Sequence, residues 1–398
     1  MTSGTIARAL RARGNDVQVV TGFPNYPDGR VYPGFRQRPY QRDLLQGVTV
    51  HRAPLYVSHD ADPRRRAANY LSFAISANVI AVTRQSRVDA TLVHSTPATV
   101  AVPAMAMRLL RRTPYVVYVQ DLWPDTVMAS GLLAEGAHRG VERVLNRFCD
   151  GVYQHAQSIA VTSPGMADII VRRGISAKKI FVVPDWVDER HFHPASPSRD
   201  VLNDIGKLSP FTVMYAGAMG EVQALETLID AASILRDRHD IDFLLVGGGI
   251  AESSLRGRVE RAGLRSVRFL AHQPVERMAE VLALGDVQIV SLRDKPIFRT
   301  TLPSKLQATM AAGRPIICAV AGDAAQVIRE SGAGLATAPG SAAELASAIL
   351  QMAALAPEDR QALGDAGHRY YAEEFSEEHG ARALDDLLHA AAEWGGLR

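Results

Sequence analysis

The residue types best suited to binding an anion lie together at positions 301–315, in the order Thr-Leu-Pro-Ser-Lys-Leu-Gln-Ala-Thr-Met-Ala-Ala-Gly-Arg-Pro. Pro303 suits the first turn of a helix, where the missing N–H of a proline costs nothing. Ser304 and Lys305 then bring a hydroxyl and an ammonium group to a helix end whose free N–H groups already attract anions. The segment therefore predicts a short helix over 306–312 whose start binds a diphosphate group.

Lys305 allows a second interpretation, an ordinary solvated lysine at the start of a helix. A cation at that end is unfavourable unless an anion lies beside it, which favours the ligand-binding interpretation. Arg299 would bring a second positive charge to the same place. The backbone at Gly217 and Gly220 carries no side chains and would let a ligand approach closely.

Short apolar strands alternate with helical patterns along the whole chain, which predicts an α/β fold with parallel sheets and crossover helices. The predicted strands of the first half are 17–21, 91–94, 115–119, 158–162 and 180–183. A turn-rich linker follows at 184–197, and the alternation starts again at 211–215. At 398 residues the chain is too long for one ordinary core. We therefore predict two tandem Rossmann-like, doubly wound domains, with ligands at the carboxyl ends of the strands.

Five segments resemble, in the same order along the chain, the family 4 glycosyltransferases of the bacterial polysaccharide and O-antigen branch, including its colanic-acid and fucosamine transferases. The segments are Thr21-Gly22-Phe23-Pro24-Asn25-Tyr26-Pro27, Gln120-Asp121-Leu122-Trp123-Pro124, Pro184-Asp185-Trp186-Val187-Asp188, Tyr215-Ala216-Gly217-Ala218-Met219-Gly220 with Gln223-Ala224-Leu225-Glu226, and Pro303-Ser304-Lys305 with Met310-Ala311-Ala312-Gly313-Arg314-Pro315. The resemblance implies the GT-B fold, with an acceptor domain over 1–188 and a donor-binding domain over 189–369. It also implies that helices over 370–398 cross back to the first domain.

The resemblance further implies a retaining transfer of a sugar from a nucleotide diphosphosugar, a UDP-linked amino or N-acetyl sugar, to a lipid-linked or glycan acceptor. The departing phosphate would assist the incoming hydroxyl on the same face, so we expect neither a metal ion nor another cofactor. Lys305, with Ser304 and Arg299, would stabilise the departing diphosphate. The chain departs from the family pattern at two positions. Most members carry two glutamates eight positions apart in this region, whereas the matching residues here are Thr300 and Ala308.

A second departure is the lysine that usually follows the Gly217 strand, since Gln223 occupies its neighbourhood. The resemblance implies that Gln307 or Gln223 makes the ribose or sugar contacts instead. The missing glutamates keep two further functions open. One is a non-catalytic relative that binds a nucleotide sugar or a partner without turnover, and the other is a sugar-nucleotide epimerase of the same fold.

Candidate acceptor residues follow two predicted strands of the first half. Asp121, after the strand 115–119, would orient or partly deprotonate the acceptor hydroxyl, with Trp123 as a stacking surface and Asp125 as a second hydrogen-bonding group. His94, at the end of another strand, would face the same region. Two alternatives stand: Asp121 caps the next helix, and His94 is a buried core residue.

Charge and cysteine usage suggest where the protein works. Residues 1–190 contain 24 lysines and arginines against 15 aspartates and glutamates, and residues 191–398 contain 20 against 27. A basic first half fits either a solvated surface or peripheral contact with an anionic membrane. The segment 69–82, preceded by Arg64-Arg65-Arg66, is either a helix packed on its own domain or one that lies on an anionic leaflet.

Cys149 and Cys318 are far apart in sequence and form neither a disulfide framework nor a metal-binding spacing. We therefore expect a reducing compartment, the cytoplasm, with the inner face of the plasma membrane as a further location. No stretch of about 18 apolar residues predicts a membrane span. Nucleic-acid binding is not expected, because aromatic and basic residues do not interleave.

The first domain opens on a helix, whereas a Rossmann-like half begins with a strand, a Gly-rich turn and then the first helix. We therefore expect that the first strand of this domain is missing from the sequence. An unpaired edge left by a missing strand is unfavourable, because each buried backbone group without a partner costs about 1–3 kcal/mol.

Overall fold

The computed structural model describes residues 3–25, 29–58, 62–125, 138–206 and 209–396. The chain packs into two compact units. The N-terminal unit joins residues 2–183 with residues 380–398, and the C-terminal unit comprises residues 184–379. Sequence reasoning placed the corresponding divisions at 188/189 and 369/370, five and ten residues away from these positions.

The C-terminal unit is built on a six-stranded sheet in which every described pairing is parallel, with strand order β10-β9-β8-β11-β12-β13. The strands are β8 (Phe211–Ala218), β9 (Ile241–Gly248), β10 (Val267–Leu270), β11 (Val287–Ser291), β12 (Ile316–Ala319) and β13 (Gly334–Ala336). The helices of this unit, the first of which precedes β8, are α6 (Arg199–Ile205), α7 (Glu226–Ile234), α8 (Glu252–Ala262), α9 (Met278–Leu282), α10 (Ser304–Ala311), α11 (Asp323–Ser331), α12 (Ala342–Ala354) and α13 (Pro357–Tyr370).

Both faces of this sheet are covered, as successive residues of β8 show. Val213 and Tyr215 pack into one apolar core with α7, α8 and α12, whereas Met214 packs into another with α6 and α9. Neighbouring side chains of a strand point to opposite faces, so helices must cover both. The predicted doubly wound architecture is therefore confirmed for this unit.

The N-terminal unit contains two sheets in its described part. A four-stranded parallel sheet has the order β4-β5-β6-β7, with strands Thr91–Ser95, Tyr115–Val119, Ser158–Val161 and Ile180–Val182. A three-stranded sheet has the order β1-β3-β2, with strands Gln18–Gly22, Val48–Ala53 and Gln41–Leu45. Its helices are α1 (Ser3–Ala12), α2 (Pro63–Thr83), α3 (Val102–Arg111), α4 (His138–His155) and α5 (Pro164–Arg172).

The three-stranded sheet corrects the prediction of an entirely parallel first domain. β1 pairs with β3 in parallel, but β2 runs antiparallel to β3. Sequence reasoning missed β2 and β3 because Gln41-Arg42-Asp43 opens the first strand of this hairpin with polar residues. The largely exposed β2 lacks the continuous apolar run by which buried strands such as β5 and β6 were recognised.

The C-terminal helix α14 (Glu377–Gly396) joins the N-terminal unit from Gly380 onwards. The carboxylate of Asp385 accepts hydrogen bonds from Arg13 Nε at 3.0 Å and from Asn15 Nδ2 at 2.8 Å. Near the end of α14, Trp394 lies under the guanidinium of Arg108, 5.6 Å from the centroid of its ring. These contacts join the first and last described elements of the chain within one unit.

Candidate active site

The carboxyl ends of β8 and β9 bring glycine backbone against glycine backbone. Gly217 is paired with Gly247, and both have positive φ angles, +137° and +126°. A Cβ on Gly247 would lie 2.2 Å from the carbonyl oxygen of Gly217, closer than any side chain can approach. The triple glycine 247–249 therefore allows two strand ends to pack together, and this close packing leaves the other side of Gly217 beside α10.

Lys305 occupies that side of Gly217. A Cβ on Gly217 would lie 2.4 Å from Cε of Lys305, so the bare glycine makes room for the lysine stem. The Lys305 ammonium lies 5.0 Å from the centroid of the Tyr215 ring. Burial lowers the pKa of Lys305 to about 8. In the part of the chain that the structure describes, no carboxylate lies within ion-pair distance of this cation. Lys305 is therefore a desolvated charge beside a ring face and a glycine backbone, without an anionic partner there.

The helix that carries Lys305 begins at Ser304, two residues earlier than predicted, and ends at Ala311. Pro303 is the residue before its first turn. Ser304 is exposed at this helix start. Gln307, one turn later, is 1% exposed, and neither its Oε1 nor its Nε2 has a hydrogen-bond partner in the described residues. A buried amide without partners is costly, which is typical of a group that a ligand satisfies.

Two of the predicted donor residues make contacts within the protein. Gln223 Oε1 accepts a hydrogen bond from the backbone N–H of Gly220 at 3.0 Å. This contact orders the turn after β8. Arg299 forms an ion pair with Asp294 at 3.0 Å on an exposed surface. The structure thus places Lys305 beside Gly217, while Gln223 is hydrogen-bonded to Gly220 and Arg299 is paired with Asp294.

Arg293 is a residue of this region that sequence reasoning missed. It follows β11, and its backbone N–H donates to Val222 O at 2.8 Å. Its Nε donates to Glu221 O at 2.6 Å, and its guanidinium pairs with Glu226 at 2.8 Å. Arg293 therefore joins the loop after β11 to the loop after β8. The available signal was a charged residue at the carboxyl end of an apolar strand.

In the N-terminal unit, Asp121 follows β5 and lies beside the end of the neighbouring strand β4. Thr96 Oγ1 donates to Asp121 Oδ2 at 3.4 Å. His94, in β4, has its Nδ1 3.0 Å from Ser3 Oγ, and its ring lies 6.2 Å from that of Tyr118. Asp121 thus lies at the carboxyl edge of the parallel sheet, where the Rossmann rule places ligands. The alternative prediction, that Asp121 caps a helix after Pro124, concerns a segment that lies largely outside the described residues.

Trp123 and Asp125 contact other parts of the same unit. Trp123 packs edge-on against Tyr70, with ring centroids 5.7 Å apart, and its carbonyl accepts a hydrogen bond from Arg173 Nη1 at 3.0 Å. Arg173 also forms an ion pair with Asp125. The charge of Asp125 is therefore balanced within the protein.

Among the described residues, no group of three or more His, Cys, Asp and Glu side chains could hold a metal ion. Metal independence stays a prediction.

Known proteins are similar to this chain in sequence and in fold. Residues 2–186 match the family described as "Glycosyl transferase 4-like domain", and residues 210–354 match "Glycosyl transferases group 1". WcaI of Escherichia coli strain K12, a proposed colanic acid biosynthesis glycosyl transferase, is 28% identical over 317 residues, which cover 78% of this chain and 77% of WcaI.

Two solved structures are among the similar folds. Sucrose-phosphate synthase from Thermosynechococcus elongatus superposes with a TM-score of 0.72 at 19% identity, covering 97% of this chain and 91% of the synthase. HepE from Anabaena, solved with UDP and glucose, superposes with a TM-score of 0.65 at 16% identity, covering 86% of this chain and 87% of HepE.

The fold and the matched ranges define a glycosyltransferase of the GT-B class, with two Rossmann-like domains. The chain belongs to glycosyltransferase family 4. The predicted fold class and enzyme class are confirmed.

Proposed function

We propose that the protein transfers a sugar from a nucleotide diphosphosugar, a UDP-sugar, to a lipid-linked or glycan acceptor during synthesis of a cell-surface polysaccharide. The observation that best supports this proposal is the environment of Lys305, a desolvated cation at the start of a helix with no carboxylate beside it in the described residues. WcaI supports the polysaccharide assignment through its name, and HepE supports UDP as the nucleotide.

In the proposed mechanism, the start of α10 holds the diphosphate of the donor. Ser304 donates a hydrogen bond, and Lys305 neutralises the negative charge that develops on the phosphate oxygen as the bond from that oxygen to the sugar C1 breaks. An anion beside Lys305 favours the charged ammonium, so donor binding raises the pKa of Lys305 back towards its ordinary value. Lys305 is therefore protonated while negative charge develops on the departing phosphate.

The acceptor hydroxyl attacks C1 from the face that the phosphate leaves, which retains the anomeric configuration. A new bond forms between the acceptor oxygen and C1, and the hydroxyl proton moves to the departing phosphate oxygen. Asp121 orients this hydroxyl through a hydrogen bond. Because Lys305 and the helix start supply the positive charge, the proposed reaction requires no metal ion.

A second candidate function is binding of a nucleotide sugar without turnover. The observation that favours it concerns the positions where most of the family carries glutamates. Thr300 donates its hydroxyl to the backbone of Ile297, and Ala308 packs against an apolar core. Neither position supplies a carboxylate to a sugar hydroxyl, so Gln307 would have to provide that contact.

Calorimetric titration with UDP, GDP and ADP tests the proposed nucleotide. We expect UDP to bind more tightly than the other two, and equal affinity for all three would contradict the assignment. Incubation with a panel of UDP-sugars and a membrane lipid extract then tests turnover. Release of UDP that depends on the extract supports transfer, whereas UDP-sugar binding without release supports the second function. We propose that this transfer takes place in the cytoplasm, at the inner face of the plasma membrane.

A further inference from the structure

Helix α2 exposes a row of apolar side chains to solvent. Leu71, Ile75 and Val79 follow one another at four-residue spacing, and each is between 55% and 66% exposed. Residues four apart lie on one face of a helix, so the row extends over about 12 Å. The opposite face of α2 is already buried through Ala74, Ala77 and Ile80. We call Leu71, Ile75 and Val79 the apolar row.

Charge is absent from the whole segment that carries the row. Residues 67–83 contain no lysine, arginine, aspartate or glutamate. A helix that faces water on one side normally presents charged residues there. Burial in its own core explains only the inner face, whereas a contiguous uncharged outer face suits a second, apolar environment.

The neighbouring helix α3 extends this surface. It packs against α2, and near its end Leu109 is 82% exposed. Arg111 donates to the backbone oxygens of Val82 at the end of α2 and of Gln85 just beyond it. The end of α3 therefore lies beside the end of α2, about one helical turn beyond Val79.

A basic cavity lies at this junction. Its volume is about 570 Å³, and it is lined by Gln85, Arg87, Leu110, Arg111 and Arg112. We call it the basic pocket. Arg111 already donates to the backbone of Val82 and Gln85, so Arg87 and Arg112 are the two guanidinium groups of this cavity that suit a phosphate group. At the other end of α2, Arg64-Arg65-Arg66 opens the helix, with Asp62 3.9 Å from Arg65.

We propose that the apolar row and the basic pocket together form a docking surface for an anionic lipid bilayer. The row enters the boundary between headgroups and acyl chains, and the arginines at both ends hold lipid phosphates. A bilayer is the occupant that combines an apolar layer with a flat anionic surface. A second copy of the chain fits poorly, because a two-fold contact here would bring the same arginines together.

No described helix is long and apolar enough to cross a bilayer. The proposal rests on the proposed function in one respect, since a lipid-linked acceptor is what would make such docking useful. The physical argument for the surface itself depends only on exposure and charge.

The first experiment places an environment-sensitive fluorophore on the apolar row by labelling an Ile75→Cys variant. The native Cys149 and Cys318 are buried, and burial raises the pKa of the Cys149 thiol to about 11 and that of Cys318 to about 12, so neither competes for the label. The matched control is Ile250→Cys, at an isoleucine of the C-terminal unit that is even more open to solvent than Ile75. We expect vesicles of phosphatidylglycerol and phosphatidylcholine to shift the emission of the label at 75 to the blue and to leave the label at 250 unchanged.

The second experiment measures partitioning by co-sedimentation with the same vesicles. Leu71→Gln/Ile75→Gln/Val79→Gln should reduce partitioning about tenfold or more, because three apolar side chains no longer enter the membrane. Arg87→Gln/Arg112→Gln should reduce it about 20- to 30-fold, from about fivefold for each arginine. The control Ile234→Gln/Ile250→Gln, in the C-terminal unit, should partition like the unaltered protein.

Three outcomes would overturn the proposal: equal binding to pure phosphatidylcholine and to anionic vesicles, a label at 75 that does not respond, or an unaltered protein that is dimeric until the row is substituted. Circular dichroism and UDP titration of each variant show whether it folds. The proposed function fails separately, if the unaltered protein binds these vesicles but does not bind UDP.

Discussion

The side chain of Lys305 has an unusual environment for a lysine. It is surrounded by the Tyr215 ring and the bare backbone of Gly217, and burial lowers its pKa to about 8 from an ordinary value of 10.5. Desolvation of a charge without a compensating partner destabilises the folded state. A diphosphate beside Lys305 would remove that cost, which is why the residue is better explained by a ligand than by stability.

Removal of this charge should weaken nucleotide binding. We expect Lys305→Met to reduce the affinity for UDP about 10- to 150-fold, since one charge-assisted hydrogen bond contributes about 1.5–3 kcal/mol. Calorimetric titration measures the change. The control is Lys295→Met, which removes an exposed lysine of the same unit and should leave the affinity unaltered. Equal affinity of Lys305→Met and the unaltered protein would refute the assignment.

The lowered pKa of Lys305 also predicts a pH dependence of two kinds. Above pH 8 the lysine of the free protein loses its proton, so UDP affinity should fall by up to about tenfold per pH unit. Stability changes in the opposite sense. Between pH 8 and 10.5 the unfolded chain binds the proton and the folded chain does not, so the free energy of unfolding should rise with pH.

Both trends should be absent from Lys305→Met, which has no group to titrate there. UDP titrations and urea unfolding from pH 7 to 10, with the two proteins compared at each pH, measure them. Identical pH profiles of the two proteins would show that another group titrates.

Asp121 is predicted to act on the acceptor and not on the donor. Asp121→Asn keeps the size of the side chain but removes its negative charge, so UDP affinity should persist while the transfer rate falls about 100-fold or more. Single-turnover transfer and UDP titration separate these effects. Asp125→Asn is the matched control, because Asp125 is paired with Arg173, and it should affect the rate much less. Weaker UDP binding with a normal rate would assign Asp121 to the donor instead.

At the scale of the element, the position of the lysine depends on the turn after β8. Gly217 has a φ of +137°, and a Cβ there would lie 2.4 Å from Lys305 Cε. Arg293 and Gln223 hold the rest of this turn through hydrogen bonds to the backbone of Glu221, Val222 and Gly220. The loop after β8 is therefore ordered by its own partners, and α10 supplies the charge.

Gly217→Ala should move the Lys305 side chain away from β8. We expect weaker UDP binding, about tenfold or more, together with a loss of stability of about 1–3 kcal/mol from the strained backbone and the collision. The matched control is Gly263→Ala, a glycine with a φ of +63° and no atom within 4 Å of an added Cβ. That variant should lose about 1 kcal/mol of stability from backbone strain but no affinity for UDP. Comparable loss of affinity in both variants would contradict the proposed role of Gly217.

At the scale of the whole molecule, the N-terminal unit is completed by the end of the chain. Asp385 is 7% exposed and receives hydrogen bonds from Arg13 and Asn15, which come directly after α1. These contacts connect residues 370 or more positions apart. Through these hydrogen bonds, α14 packs in the same unit as α1.

Asp385→Ala should loosen this connection, because it leaves the guanidinium of Arg13 without its carboxylate. Hydrogen exchange in α1 and α14 should accelerate about 10- to 150-fold, which corresponds to about 1.5–3 kcal/mol for a charge-assisted bond. The exposed neighbour Asp386 gives the control Asp386→Ala, with unchanged exchange. Acceleration of the same size in both variants would mean that helix propensity, and not the contact with Arg13, holds α14.

Several features of the protein were predictable from its sequence because they depend on neighbouring residues. Apolar runs with turn residues at their ends located β1 and β4 to β7 within one or two residues of their observed bounds. Pro303 and Gly313 located the helix of Lys305, since each shapes the backbone at its own position. The five family segments then identified the fold class and the enzyme class.

Other features depended on residues that are distant in the sequence, and only the tertiary structure decided them. The hairpin of β2 and β3 has too polar a first strand to be recognised without its partner. Whether a charge near the strand ends is available or paired also depends on its spatial neighbours. Arg299 forms an ion pair with Asp294, and Asp125 forms one with Arg173. Lys305 instead contacts Gly217 and Tyr215, which lie 88 and 90 positions earlier in the sequence. Residue type and spacing indicate which groups can bind an anion, but desolvation and pairing are properties of the folded environment, and these distinguish Lys305 from the other cations.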